Sequence, residues 1–456
     1  MTPKKSEDTP EIDLFRNELA NMLDHRHALY QLAGLIDWHS FEAEFGLRYC
    51  DDNGSPGKPI RLMVGLEYLK QIHNLSDEQV VKRWVENPYW QYLCGEIYFK
   101  HELPIDPSSL SRFRQRIGES GCEKLLAVSI QAGVKSGTVK PRDFKRVTVD
   151  TTVQEKAIAF PTDSKLLNRS RERLVRLCRR HRITLRQSYA RNGPRAVWKA
   201  SRYAHARQMR RMKRELRRLR TYLGRVVRDI ERRIAGQADL ELWFAEEISM
   251  ARRLLVQEKH SKNKLYSLHA PEVECLSKGK AHKRYEFGVK VSITSTNRSN
   301  FIVGGKALPG NPYDGHTLPG ALAQTRRLTH TEIEEAFVDK GYRGHGEETT
   351  TVYLSGQKRG IKTRSLRKRL KRRQAIEPII GHLKSDGRLG RNYLQGMNGD
   401  AINVLLCCAG HNLRLILRHL RLFWPSILRV FQALLEGRHQ GADEMPSHQL
   451  WRSTER

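Results

Sequence analysis

The residues best suited to chemistry in this chain are three acids far apart in sequence: Asp150, Asp339 and Glu377. Glu377 sits in residues 372–384, Arg-Arg-Gln-Ala-Ile-Glu-Pro-Ile-Ile-Gly-His-Leu-Lys, with Arg373 before it and Lys384 after it. At about 100° per helical residue, Arg373, Glu377 and Lys384 fall within roughly 40° of one another. Ile376, Ile379, Ile380 and Leu383 then share a neighbouring apolar arc. An acid between two cations on the rim of a packed helix suits a site that holds a metal ion against a phosphate. The same pattern also describes a surface ion-pair cluster. Pro378 directly after Glu377 disfavours an unbroken helix, so a helix is expected to begin or kink there.

The other two acids need strands to place them. In residues 145–153, Val147, Val149 and Thr151 alternate with Arg146, Thr148 and Asp150, which reads as a strand with Asp150 opposite the valines. Ala157–Phe160, closed by Pro161, is expected to be its return strand in a hairpin. Residues 335–344 read as a short buried strand ending in Asp339 and a glycine loop that carries Arg343. An acid at the carboxyl end of a strand, just before glycines, is a common place for active-site chemistry. It is an equally ordinary place for a turn or a helix cap.

Charge bounds the partner. The 456 residues contain 82 Lys plus Arg against 50 Asp plus Glu, a formal charge of +32. Such a surplus implies a polyanion, nucleic acid first, with an anionic membrane surface as the competing reading. No run of about 20 apolar residues is apparent and no basic-then-apolar leader opens the chain, so a soluble intracellular protein is expected. Seven scattered cysteines without a C-x-x-C pair argue against a zinc ribbon or a disulfide scaffold. Residues 165–234 hold 25 of the Lys and Arg and only four acids, about two thirds of the surplus. Leu166, Leu174, Leu177, Leu219, Leu223 and Val227 thread that block at helical spacing, with Gly193-Pro194 expected to break it into two arms. Too few anions are present to neutralise it, which favours contact with a phosphate backbone. Trp198 and Tyr203, interleaved with the cations, suit stacking on bases.

The rest of the chain frames these pieces. A helix is expected from Ile60, and another after the Ser76 cap with its capping box. A third follows Asp106-Pro107, with Ser109, Ser111, Arg112, Arg114 and Arg116 around Leu110, Phe113 and Ile117. This is either a helix-turn-helix reader of DNA or a plain helical packing unit. Strands are expected at 285–294, 301–308 and 352–354, a helix at 318–328, and an apolar helix over 401–435 followed by a loose tail. The expected units are an N-terminal segment, 1–57; a helical DNA-binding domain, 58–135; a split core, 140–163 plus 263–400; and a basic helical insertion, 164–262. A C-terminal helix, 401–436, and a tail, 437–456, complete the chain.

With the insertion set aside, the order is strand-Asp, strands, helix, strand-Asp, helix-Glu. That order resembles the ribonuclease-H-like, mixed-sheet α+β fold of the DDE transposases and retroviral integrases. Arg373, Glu377 and Lys384, spaced R-x3-E-x6-K, resemble the Tyr-Arg-Glu-Lys signature of insertion-sequence transposases of the group built on families four and five. Residues 149–161, 285–290, 310–318 and 338–344 are similar to phrases of family five, and 60–125 to its DNA-binding domain. The chain departs from the signature at Leu370, where the family usually has tyrosine.

The resemblance implies an enzyme. Asp150, Asp339 and Glu377 would hold two Mg²⁺ ions, replaceable by Mn²⁺, about 4 Å apart. Arg373, Lys384 and Arg343 would bind DNA phosphates. The reaction would be strand cleavage at terminal inverted repeats of double-stranded DNA, then strand transfer into target DNA. Synapsis of two ends implies a dimer at least, in the bacterial cytoplasm and without a membrane partner. The alternatives are a catalytically inactive or co-opted DNA-binding protein and a stand-alone nuclease of the same fold.

Overall fold

The computed structural model describes residues 17–49, 56–258, 260–277, 284–357, 360–361 and 363–440, with side chains to 422. Its centre is a six-stranded sheet: β1 (Arg146–Glu155), β2 (Glu274–Leu276), β3 (Glu286–Thr296), β4 (Ile302–Leu308), β5 (Glu335–Val338) and β6 (Thr351–Leu354). β3 pairs antiparallel with β1 along its length and with β2 and β4 on its other edge. β5 pairs parallel with β1, and β6 parallel with β5. The main order is therefore β4-β3-β1-β5-β6. A parallel neighbour needs a crossover; helix Asp314–Thr329, between β4 and β5, supplies it.

The expected hairpin at 157–160 does not form. After β1 the chain leaves the sheet: Phe160 is exposed and the Ala157 N–H donates to the Asn392 carbonyl. The antiparallel partner of β1 is β3, about 130 residues on (Val153 opposite Lys290). Between β1 and β2 stand four helices, Asp163–Arg180, Asn192–His205, Met209–Ile234 and Ala238–Val256. Gly193-Pro194 lies in the first turn of the second of these helices instead of breaking one, where a proline costs no intrahelical bond. Leu174, Leu223, Val227, Ile230, Phe244 and Leu254 build an apolar core of their own inside this insertion. Its root is fastened by a buried ammonium: Lys156 Nζ lies 2.8 Å from Glu272 Oε1 and 2.9 Å from Asp400 Oδ1.

The N-terminal helices share the core of the sheet. Phe41, Leu66, Trp84 and Phe113 belong to one apolar cluster with Val149, Ile293 and Leu405. Helix Ile60–Ile72 begins where the sequence places it, and Ser76 and Gln79 make the expected capping box. Arg114, one of the arginines of the expected DNA-reading face, is buried instead. It holds Glu67 at 2.5 Å and Asp77 at 2.6 Å, with Lys70 also on Asp77 at 2.6 Å. Burial alone would raise the Asp77 carboxyl, but hydrogen bonds and charges from Arg114 and Lys70 outweigh it and hold it at about 2.

The terminal helix, Gly396–Gln440, packs on β4 and on helix Ser108–Lys135. It continues past 435 into the stretch expected to be loose tail, and 441–456 lie outside the described residues. By length and composition its part Gly396–Leu422 could cross a membrane, contrary to the expectation that no stretch could. That window is almost wholly buried within the protein, so its apolar side chains are occupied by the core. Of the cysteines, Cys94, Cys122, Cys178, Cys407 and Cys408 are free and buried and Cys275 is half-buried. Cys50 lies outside the described residues.

Candidate active site

The sheet register brings two of the three acids together. Parallel pairing of β1 with β5 ends at Thr148 opposite Phe337. Continuing that register by two residues sets Asp150 level with Asp339, on strands about 4.8 Å apart. Arg373 lies across them. Its guanidinium is 3.9 Å from Asp150 Oδ2 and 3.8 Å from Asp339 Oδ1, and the residue is buried.

Arg373 is positioned by a break in the helix. Helix Arg364–Arg372 docks its side chains on the start of β5 and on the turn after β3. Arg369 lies 3.2 Å from Glu335, and Arg372 Nε donates to the Asn297 carbonyl at 2.6 Å. Residues Arg373–Ala375 then form a single 3₁₀ turn, and helix Ile376–Ser385 follows, packed against β1. The break expected at Pro378 thus falls upstream of it. Pro378 stands in the first turn, whose N–H groups have no intrahelical acceptor, so the ring removes no bond.

The other expected residues stand on the helix that follows Arg373 and on the short turn that follows Asp339. Glu377 is exposed, in the first turn of its helix. Lys384 lies 3.9 Å from Glu286 at the start of β3. Arg343 is exposed at the end of the short 3₁₀ turn Lys340–Tyr342 that follows Asp339. Among the described residues no three His, Cys, Asp or Glu side chains gather closely enough to hold a metal ion. Asp150 and Asp339 nevertheless aim oxygen donors at one positive charge, a donor pair that fits a hard divalent cation. Leu370 lines an open depression with Arg367, Lys371 and Arg373.

The structure adds four residues to the site: Thr151, Lys290, Asp314 and Tyr342. Asp314, the first residue of helix Asp314–Thr329, accepts hydrogen bonds from Thr151 Oγ1 at 3.0 Å and Lys290 Nζ at 3.1 Å. Tyr342 is buried beside them. Burial, reinforced by the Asp150, Asp314 and Asp339 carboxylates against a smaller opposing effect of the Thr151 hydroxyl, pushes its phenol far above the usual value. A lysine in the middle of a strand that otherwise reads as buried was the available signal for Lys290. Asp314 lay in a turn-rich run that gave no hint of its partners.

Comparison with known proteins finds transposase domains in two stretches of the chain, neither of which includes Asp150 or Asp339. A transposase domain (DUF772) matches residues 17–116, the helical N-terminal region. A transposase DDE domain matches residues 343–417, which include Arg343, Arg373, Glu377 and Lys384. Both matches are to transposase domains, each over less than half of the chain. Over 196 residues it is 53% identical to the uncharacterized protein ORF8 in the nfe locus of Rhizobium meliloti, covering 43% of this chain and 94% of that one. No solved structure matches the chain significantly.

Proposed function

We propose that the protein is an insertion-sequence transposase, of family five, that cleaves and joins DNA at a ribonuclease-H-like site. The observation that carries this reading is the convergence of Asp150 and Asp339, from the ends of neighbouring parallel strands, on the Arg373 guanidinium. A sheet of antiparallel strands continued by two parallel ones, with acids at the β1–β5 seam, supports the fold assignment.

Asp150 and Asp339 would hold a divalent metal, and Glu377, on the helix packed on β1, would have to approach them to serve as a third donor. Mg²⁺ (or Mn²⁺) at these carboxylates supplies the Lewis acidity that in-line phosphoryl transfer needs near neutral pH. Arg373, Lys384 and Arg343 bind non-bridging phosphate oxygens, where charge-assisted bonds fix the scissile group. Water attacks phosphorus and the 3′-oxygen leaves as a hydroxyl; that 3′-hydroxyl then attacks a phosphodiester of the target and displaces the target strand's own 3′-oxygen. The exposed basic faces of the insertion (Arg195, Arg202, Arg210, Arg214 and Arg217 among them) clamp backbone, and the N-terminal helices recognise the terminal repeats. Two ends must be held at once, so the working form is a dimer or larger, acting on the nucleoid in the cytoplasm.

The test is incubation with a labelled duplex carrying the element's own ends, in Mg²⁺. Nicked 3′-hydroxyl ends followed by joined products are expected. A second reading, a catalytically inactive or co-opted transposase acting as a DNA-binding protein, is favoured by the exposure of Glu377. Protein that binds the ends but cuts in neither Mg²⁺ nor Mn²⁺ would establish it.

A further inference from the structure

We infer that Asp314 is a positioning residue for the active site, acting through Thr151 to aim the Asp150 carboxylate and through its packing to fix the Asp339 loop. This rests on the reading of Asp150 and Asp339 as cation ligands. The chain of bonds is continuous. The Thr151 N–H donates to Asp150 Oδ1 at 2.8 Å, which leaves Oδ2 as the oxygen turned toward Arg373. Thr151 Oγ1 in turn donates to Asp314 Oδ1. Asp314 is itself fixed: Lys290 Nζ, from β3, donates both to Asp314 Oδ1 and to the Pro312 carbonyl, at 2.8 Å, pinning the helix start to the sheet. An acid in the first turn also sits favourably on the helix dipole.

The same helix start grips the Asp339 loop. A Cβ at Gly315 would come within 2.9 Å of the Arg343 carbonyl, and one at Gly341 within 3.3 Å of Asp314 Oδ2. Gly315 is needed for this close approach, and a side chain at Gly341 would press on the Asp314 carboxylate. Asp314 therefore touches the element after each aspartate, and its neutralisation by Lys290 suits it to orientation more than to metal binding. Outer partners that orient ligating carboxylates are typically worth about 10- to 100-fold in metal affinity.

The experiment measures Mn²⁺ binding to the full chain by electron paramagnetic resonance, with folding followed by circular dichroism. Thr151→Val, nearly isosteric and lacking the donor, should weaken Mn²⁺ binding about tenfold with unchanged melting, while Thr151→Ser, which keeps the hydroxyl, should restore it. Asp314→Ala should weaken it at least as much. If Asp150→Asn abolishes Mn²⁺ binding but Thr151→Val and Asp314→Ala bind as wild type does, the positioning role is overturned and the site reading stands. If Asp150→Asn also leaves binding unchanged, the site reading itself fails and takes the inference with it. Weakening by Thr151→Val that Thr151→Ser does not restore would assign the effect to packing and overturn the inference too.

Discussion

Arg373 lies 3.9 Å from Asp150 and 3.8 Å from Asp339, the two carboxylates proposed above to hold a divalent metal. A guanidinium there relieves the repulsion of two facing carboxylates, and it also competes with any metal for them. Arg373→Gln should therefore tighten Mn²⁺ binding, by about tenfold for the removal of roughly 1.4 kcal/mol of competition. Titration by calorimetry checks this, and unchanged or weaker binding would show that Arg373 supports metal loading instead. A second buried arginine has a different job. Arg114 neutralises the fully buried Glu67, so Arg114→Ala leaves an uncompensated charge and should cost about 3–5 kcal/mol in chemical denaturation. Asp77 belongs to the same cluster and its folded-state pKa is depressed, from 3.8 to about 2. Its contribution, about 2 kcal/mol, is present above pH 3.8 and is lost as pH falls toward 2. Melting curves from about pH 6 to about pH 2 should show a steeper loss in wild type than in Asp77→Asn; parallel curves would contradict the assignment. These roles were poorly legible in the sequence. An arginine among serines on a helix reads as exposed until its partner, 47 positions earlier, is folded beneath it. Asp150 and Asp339 were legible because strand alternation and strand ends are local patterns. Asp314 was not, because both of its hydrogen-bond donors come from strands distant in sequence.

At the scale of elements, local periodicity gave the strands and helices but not always their partners. The run after β1 looked like a returning strand because alternation specifies a strand and says nothing of what pairs with it. The true antiparallel partner of β1 lies beyond the insertion, where Val289 pairs opposite Gln154. The insertion's helical nature was legible from its leucine spacing, and its apolar core accounts for that spacing. Its exposed arginines point to a backbone clamp, and that has a quantitative consequence. Removing one phosphate-binding cation should reduce the slope of log affinity against log salt by about 0.9 on duplex DNA. Replacing Arg210, Arg214 and Arg217 with Gln should lower that slope by up to about three, equally for specific and random duplexes. Weakening confined to one sequence would mean that these residues read bases and do not clamp backbone.

At the scale of the whole molecule, three separated stretches meet at one seam of one sheet: β1, the end of β5, and the turn at Arg373–Ala375. The two aspartates come level through parallel register, which the order of strand-acid motifs suggested and only tertiary pairing could fix. Glu377 follows Arg373 by four residues and is exposed at the start of its helix, so its part in the chemistry is the sharpest question the architecture raises. The direct measurement compares wild type with Asp150→Ala, Asp339→Ala and Glu377→Ala on labelled DNA carrying the element's ends, in Mg²⁺ and in EDTA. Mg²⁺-dependent 3′-nicking and joining that each substitution abolishes, with DNA binding retained, is the predicted result. Cleavage that survives Asp150→Ala or Asp339→Ala would contradict the site, and cleavage that survives Glu377→Ala alone would remove that residue from it.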